Sequence, residues 1–487
     1  MKCSLYLAAS CLAFASPALA QPLEPAERQT VLQGVDADLV SETALQIWKF
    51  AEPGYQEEQS SALLQQQLTE AGFTVTPGIA GEPTAFLASY RNGDGPVVAL
   101  LAEYDALPGL AQEATPDRAP IAGQWGGHGC GHNLFGAASV GAAMAVKHWM
   151  DAAGVRGEIR VYGTPAEEGG SGKVHMVRDG LFEGVDTAIH WHPGNSNSAA
   201  QSASKANSTG KFRFAGRSAH ASGGPWLGRS ALDGLEIMNV ATNYLREHVP
   251  DHTRIHYVVT GGGGAPNVVP DSAEAFYYVR SPDPQVVKDV MERVKKAAEG
   301  AAIATDTSYE FQQVGGVFSL LPNDALGQVM DRNLRSLPRL AWTPEEMSFA
   351  QRLQENLEQK VDLASVGEIE PYSVRTDPDS TGGSTDVSDV SWAVPTVGLR
   401  VAAFVPGSPG HSWQNAAAAG SSIGTKAAVL AAETMALTAA ELMQSPEVIE
   451  QAKAELVERR GADFVYTPMI GDTKPQLDYR GAFTGSE

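Results

Sequence analysis

Val97-Val98-Ala99-Leu100-Leu101-Ala102 is an unbroken apolar run, closed off by Pro96 on one side and Glu103 on the other. A strand with one wet face alternates apolar and polar residues. A strand covered on both faces does not, so this run marks the inside of a helix-covered sheet. The chain around it keeps the same rhythm. Ser41 to Leu68 reads as helical, Leu134 to Met150 as a helix of small apolar residues, and Glu158-Ile159-Arg160-Val161-Tyr162 and Asp186-Thr187-Ala188-Ile189-His190 as further strands. Strands alternating with helices predict an α/β fold whose mostly parallel sheet is flanked by helices.

After a polar stretch from Asn195 to Ser208, which reads as a linker, the pattern changes. Lys211 to Phe214, Arg254 to Thr260, Glu274 to Val279 and Thr307 to Val314 look like strands, with helices at Ser230 to Glu247 and Pro284 to Glu299. The order βαββαβ is that of a ferredoxin-like α+β unit. Helical and α/β character returns after Leu321, including an Ala-rich helix from Ala416 to Met443, so the small unit is an insertion. The expected division is a signal peptide at 1–20, a main domain in two parts at 21–205 and 318–487, and an inserted domain at 206–317.

With 487 residues, 43% hydrophobic and 7% aromatic, the chain can bury a full core in two or three domains. Lys2, the apolar run Leu5 to Phe14 and the small residues Ala18-Leu19-Ala20 have the layout of a secretory signal, which predicts a periplasmic or secreted protein starting at Gln21. No later stretch holds the roughly 18 successive apolar residues of a membrane span. Cleavage would remove Cys3 and Cys11, leaving Cys130 without a disulfide partner. It would also remove Lys2 and no acidic residue, taking the formal charge from −22 to −23. Such a charge argues against nucleic acid or a membrane surface as partner.

Four clusters carry candidate chemistry. In His128-Gly129-Cys130-Gly131-His132-Asn133 a thiol and an imidazole two residues apart can face one metal ion. In Gly163-Thr164-Pro165-Ala166-Glu167-Glu168-Gly169-Gly170 adjacent carboxylates on extended chain point opposite ways, so one can bind metal while the other acts as a base. His190-Trp191-His192-Pro193 ends a strand, where residues two apart share a face and either His could be a ligand. Gly407-Ser408-Pro409-Gly410-His411-Ser412-Trp413 is a turn presenting one His. Each cluster alone has an ordinary structural explanation. Their common position is more specific, because open α/β sheets bind ligands beyond the carboxyl ends of their strands, where Glu167, Glu168 and His190 fall. Gly261 to Gly264 is not a phosphate loop, since no Lys-Ser/Thr and no helix pattern follow it.

Together with Glu103-Tyr104-Asp105-Ala106-Leu107-Pro108 and Thr385-Asp386-Val387-Ser388-Asp389-Val390-Ser391-Trp392, these motifs resemble the aminoacylase and carboxypeptidase superfamily with co-catalytic metals. The likeness is greatest to its p-aminobenzoyl-glutamate hydrolase branch of the B-subunit type, and it runs from about Ser41 to about Met443. The resemblance implies Cys130, His132, Glu168, His190 and His411 as ligands of two divalent ions (Zn, Mn or Co), with Cys130 in a bridging place. His192 is the alternative to His190. The resemblance further implies Glu167 as general base and Asp105 as a carboxylate behind the ligands that orients the site.

In the inserted domain, Gly216-Arg217-Ser218-Ala219-His220-Ala221-Ser222 resembles the segment whose His enters a partner subunit's site and helps stabilise the tetrahedral intermediate. The stretch Gly263 to Pro270, with Asn267, and Arg280 resemble the lid elements that hold a substrate carboxylate, a task that suits the planar fork of Arg. The implied protein is a homodimer joined through its lid. It would hydrolyse the amide bond of an N-acyl or N-aroyl amino acid, a small-molecule substrate with a carboxylate nearby. A dipeptidase or carboxypeptidase of the same superfamily is the first alternative. A hydrolase with Cys130 as nucleophile and a non-catalytic periplasmic binding protein are rivals that leave more motifs unexplained.

Overall fold

The computed structural model describes residues 21–377 and 383–481; the expected signal peptide at 1–20, with Cys3 and Cys11, lies outside the described residues. Where the sequence predicts one helical stretch from Ser41 to Leu68, two helices form, α1 (Ala37–Phe50) and α2 (Glu58–Glu70). Pro53-Gly54 breaks the stretch, and Ala51 and Tyr55 on either side take left-handed backbone angles. The break has a purpose in the fold. A Cβ on Gly54 would sit 2.8 Å from Ala166 Cα, so only glycine lets this loop lie under the turn that carries Glu167 and Glu168.

The chain then lays down β1 (Thr74–Pro77), β2 (Phe86–Asn92) and β3 (Val97–Ala102), crosses through α3 (His132–Ala153), and adds β4 (Gly157–Gly163), α4 (Gly172–Arg178) and β5 (Thr187–Gly194). It leaves to form β6 (Ala206–Ala215), α5 (Ala231–Leu245), β7 (Arg254–Gly261), β8 (Ser272–Ser281), α6 (Pro284–Thr305) and β9 (Ser308–Val317). It returns with β10 (Thr396–Ala402) and α7 (Ser422–Gln444).

The first sheet has the order β1-β2-β4-β3-β5-β10. Its β4, β3, β5 and β10 are mutually parallel, while towards one edge β2 pairs antiparallel with β4, and β1 antiparallel with β2. The apolar run of β3 lies near the middle, buried from Val98 onward, with α3 and α7 packed over it. Alanines and glycines on these helices permit close approach; a Cβ on Gly141 would come within 2.4 Å of Val40 Cγ2 on α1. Cutting a buried side chain such as Leu100 back to Ala would cost about 2–5 kcal/mol. The expected Ala416 to Met443 helix is also broken, into Trp413–Ala419 and α7. Gly420 lies so close to Trp48 that a side chain would collide with the indole, and Ser421 caps the new helix by accepting from Ile423 N.

The second sheet, β7-β8-β6-β9, has the ferredoxin-like order expected from βαββαβ. Phe212, Phe214, Leu235, Tyr277 and Val294 form its own core under α5 and α6. Alternation along β6 and β8 leaves Lys211, Arg213, Phe276, Tyr278 and Arg280 on the opposite face. The Asn195 to Ser208 stretch is more than a polar linker: Asn197 is buried and donates to the carbonyls of Val366 and Glu368.

Candidate active site

The parallel strands end on one side of the first sheet, and the turns that follow them carry the site. After β4 the chain makes a tight turn in which Gly169 N donates to Glu167 O at 2.6 Å and Gly170 N to Ala166 O at 2.9 Å. Ala166 sits at φ 57°, a conformation unfavourable for a side-chain-bearing residue, and its N–H donates to the buried carboxylate of Glu57 at 2.9 Å. Before α3, Gly131 turns at φ 80° because any Cβ would strike Pro193 and Phe404; the turn sets Cys130 and His132 at the head of the helix.

Cys130 Sγ lies 3.4 Å from His192 Nε2. Cys130, His132 and His192 form one trio whose ligand atoms lie within 4.8 Å of one another, and Cys130, Glu168 and His411 form a second. The sulfur belongs to both. His411 Nε2 contacts Glu168 Oε1 at 3.1 Å.

The geometry favours His192, the alternative kept open by the sequence, over His190 as the ligand on β5. His190 shares the face of β5 with His192 but sits one pleat deeper in the sheet, where its ring stacks on Phe135 at 6.4 Å and abuts Gly398. Among the described residues it joins none of the groups that could hold a metal ion. His192 is the one at the strand end. Its Nδ1 lies 2.7 Å from Pro193 O, which fixes that nitrogen as the donor and leaves Nε2 free to bind a metal.

Asp105 is fully buried and ties two candidate ligands together. Its Oδ1 contacts His132 Nδ1 at 2.8 Å, and its Oδ2 accepts from Glu168 N at 2.9 Å. Burial alone would raise its carboxyl, but His132 and the Glu168 N–H outweigh that and hold it down at about 2.

Sequence reasoning missed a further group behind the site. Lys173, on α4 and wholly buried, places Nζ 2.7 Å from Glu103 and 2.7 Å from Asp386. These two carboxylates lie within 4.8 Å of Glu167. The trio is no cation site, because the Lys173 ammonium already lies against two of its members. The available signal was the position of Glu103 and Asp386 inside the motifs that begin at Glu103 and Thr385; nothing in the sequence marked Lys173. Burial first, then the charges of Glu103 and Glu168, hold the Glu167 carboxyl well above the ordinary carboxylate range. Burial and Glu168 likewise push the Cys130 thiol up, so an isolated thiol here stays protonated. His132 is drawn upward against its burial by Cys130, Asp105 and Glu103.

Five carboxylates (Glu103, Asp105, Glu167, Glu168 and Asp386) therefore converge with one lysine. The surplus negative charge and the mixed S, N and O donors fit divalent cations such as Zn or Mn.

The lid residues lie elsewhere in the chain. His220 is exposed, bridges backbone to backbone with Val268, and accepts at Nδ1 from Ser222 N and Gly223 N. Asn267 is beside it, its carbonyl accepting from Ala221 N. Among the described residues His220 joins none of the groups within one chain that could hold a metal ion. Arg280 stands on β8 with its Cζ 5.5 Å from the Tyr278 ring centre.

The peptidase dimerisation domain of the M20 type matches residues 202–306. The B-type subunit of p-aminobenzoyl-glutamate hydrolase from Escherichia coli is 39% identical over 446 residues, covering 86% of this chain and 92% of the relative. The Xaa-Arg dipeptidase of Mus musculus is 27% identical over 464 residues, covering 90% and 96%. Among solved structures, an aminobenzoyl-glutamate utilization protein from Klebsiella pneumoniae shares the fold at a TM-score of 0.59 and 19% identity, covering 85% of this chain and 98% of that one. A dinuclear metal-binding M20 peptidase from Bacillus subtilis does so at 0.54 and 16%, covering 86% and 99%. With identity of this level sustained over nearly the whole length, the chain belongs to the M20 family, in the branch of the B-type p-aminobenzoyl-glutamate hydrolase subunits, and is a hydrolase of amide or peptide bonds.

Proposed function

We propose that the chain hydrolyses the amide bond of N-acyl or N-aroyl amino acids, p-aminobenzoyl-glutamate-like, with two divalent ions held by Cys130, His132, Glu168, His192 and His411. The observation that carries this reading is the pair of ligand trios meeting at the Cys130 sulfur. Divalent ions bound there would supply a nucleophilic water at neutral pH and polarise the scissile carbonyl. Glu167, beside both trios, takes the proton of the attacking water and passes it to the leaving nitrogen. Its raised affinity for a proton suits both halves of that task. Asp105 and the Pro193 carbonyl hold the two imidazoles in fixed orientation. A hydrolysis screen of N-acyl and N-aroyl amino acids with Mn or Zn, with and without chelator, tests this; absence of chelator-sensitive hydrolysis across the panel rejects it.

A dipeptide substrate is the second reading, supported by the 27% identity to the Xaa-Arg dipeptidase. A Cys130 nucleophile is disfavoured by the upward push on its thiol. A mere binding protein would have no use for Glu167.

The working unit is read as a homodimer joined through 206–317. The edge strand β7 exposes Val258 and Val259, and the outer side of α5 exposes Ile237, Val240 and Tyr244. An unpaired strand edge beside apolar side chains is a surface that a second copy can cover. His220 and Asn267 would then reach the partner's metals. Export to the periplasm or beyond, through a signal at 1–20, is part of the same reading. Among the described residues no helix is long and apolar enough to cross a membrane.

A further inference from the structure

The loop that joins α1 to α2 lies under the turn after β4 and touches it at both ends. Glu57, wholly buried, accepts from Ala166 N through Oε1 at 2.9 Å and from Thr84 Oγ1 through Oε2 at 2.8 Å. Tyr55 OH donates to the Gly170 carbonyl at 2.9 Å. The loop has its own anchors. Glu52 caps α2 by accepting from Gln59 N and Ser60 N, each at 2.9 Å, and its carbonyl accepts from Ala106 N at 2.8 Å. One short stretch thus faces both the Glu167 turn and the segment that carries Asp105.

The two carboxylates of the turn are not held alike. Glu168 is tied through its own main chain: its N–H donates to Asp105, and its carbonyl accepts from Tyr479 at 3.0 Å and from Arg480, both in the final described segment of the chain. The main chain of Glu167 is bonded, among the described residues, only within the turn, its carbonyl accepting from Gly169 N at 2.6 Å. The direction of Glu167 is therefore set by the residue before it. Ala166 stands at φ 57°, and a residue with a Cβ takes up that conformation about tenfold less readily than glycine. Rotation in φ is about the N–Cα bond, and the N–H at the fixed end of that bond is the one Glu57 holds. Strained backbone persists where its surroundings over-determine it.

We propose that Glu57 is a positioning residue for the general base: by holding Ala166 N it keeps Ala166 in left-handed backbone and so aims the Glu167 carboxylate into the site. The inference rests on the reading of Glu167 as the base of an amide hydrolase. The role needs an acceptor oxygen at the right distance, not a charge. Burial first, then Asp105, raise the Glu57 carboxyl to about 8, so a neutral glutamine of the same length is a close substitute. Its amide oxygen can face Ala166 N while its NH2 faces the Thr84 hydroxyl, which accepts as well as donates. Aspartate keeps the carboxylate but draws it back by one methylene.

The test uses metal-loaded full-length enzyme with an N-aroyl-glutamate as substrate. Glu57→Asp should lower kcat by about 10–100-fold with KM and metal content unchanged, because a displacement on the order of 1 Å costs that much. Glu57→Gln should stay close to wild type. Adding Ala166→Gly to Glu57→Asp should raise kcat again by about fivefold or more, since glycine takes a positive φ without the penalty. Hydrogen exchange gives a readout independent of turnover: the peptide 163–171 should exchange faster in Glu57→Asp than in wild type or Glu57→Gln, with the rest of the chain unchanged. The positioning role is overturned by full turnover in Glu57→Asp, by loss of metal in step with kcat, by a double variant no faster than Glu57→Asp, or by faster exchange throughout the main domain. Failure of wild type to cleave any N-acyl amino acid overturns the amide-hydrolase reading instead, and the exchange comparison still decides whether Glu57 holds the turn.

Discussion

The sulfur of Cys130 lies 3.4 Å from Nε2 of His192, while His190, two residues earlier on the same strand, stacks on Phe135 and among the described residues joins none of the groups that could hold a metal ion. His192→Ala should therefore weaken binding of one ion by at least about 100-fold, and His190→Leu should leave both in place. Metal content after dialysis distinguishes the two histidines; a full complement in His192→Ala would restore His190 as ligand.

Glu167→Gln removes the proton acceptor while preserving shape. Its kcat should drop by about 10²–10⁴-fold with metal content unchanged. Near-normal turnover would mean that another group takes the proton.

Burial and Glu168 push the Cys130 thiol up, which makes it a poor nucleophile when no cation is bound. Chelation should abolish hydrolysis, and added Mn or Zn should bring it back. An enzyme that keeps working in excess chelator would favour thiol chemistry.

Asp389 offers a pH test away from the ligands. Burial raises its carboxyl to about 7, although Tyr466 OH at 2.6 Å and Phe318 N at 2.9 Å both donate to it. The folded chain thus binds this proton more tightly than the unfolded chain. The stability it contributes is complete below about pH 4 and disappears as the pH climbs through about 7, a total on the order of 4 kcal/mol. The Tm of wild type relative to Asp389→Asn should accordingly be greatest near pH 4.5 and least near pH 8. A difference independent of pH would remove Asp389 from this role.

Charges placed on the exposed face of α5, as in Val240→Glu with Tyr244→Lys, should produce monomers in gel filtration. If His220 acts in the partner's site, the monomer loses activity in step with His220→Ala. A fully active monomer would leave His220 without a catalytic task.

Much of the architecture could be read from the chain because burial leaves a pattern. The unbroken run of β3 and the βαββαβ order of the second sheet are both present in the structure. The helix breaks at Pro53-Gly54 and Gly420 were harder, since each depends on a distant neighbour, Ala166 in one case and Trp48 in the other. The choice between His190 and His192 was not readable at all. A two-residue period gives both the same face, and only the end of β5 against its surroundings decides which ring is free. Lys173 was hidden for a similar reason: a lysine on a short helix looks solvated until Glu103 and Asp386 are folded around it.

The course of the final segment affects how the protein is made. Tyr479 and Arg480 are translated after the rest of the site, and both fasten the main chain of Glu168. A ribosome that stops short, or a protease that trims the end, would leave every proposed metal ligand in the chain and still deliver a protein whose Glu168 turn has lost both of these fastenings.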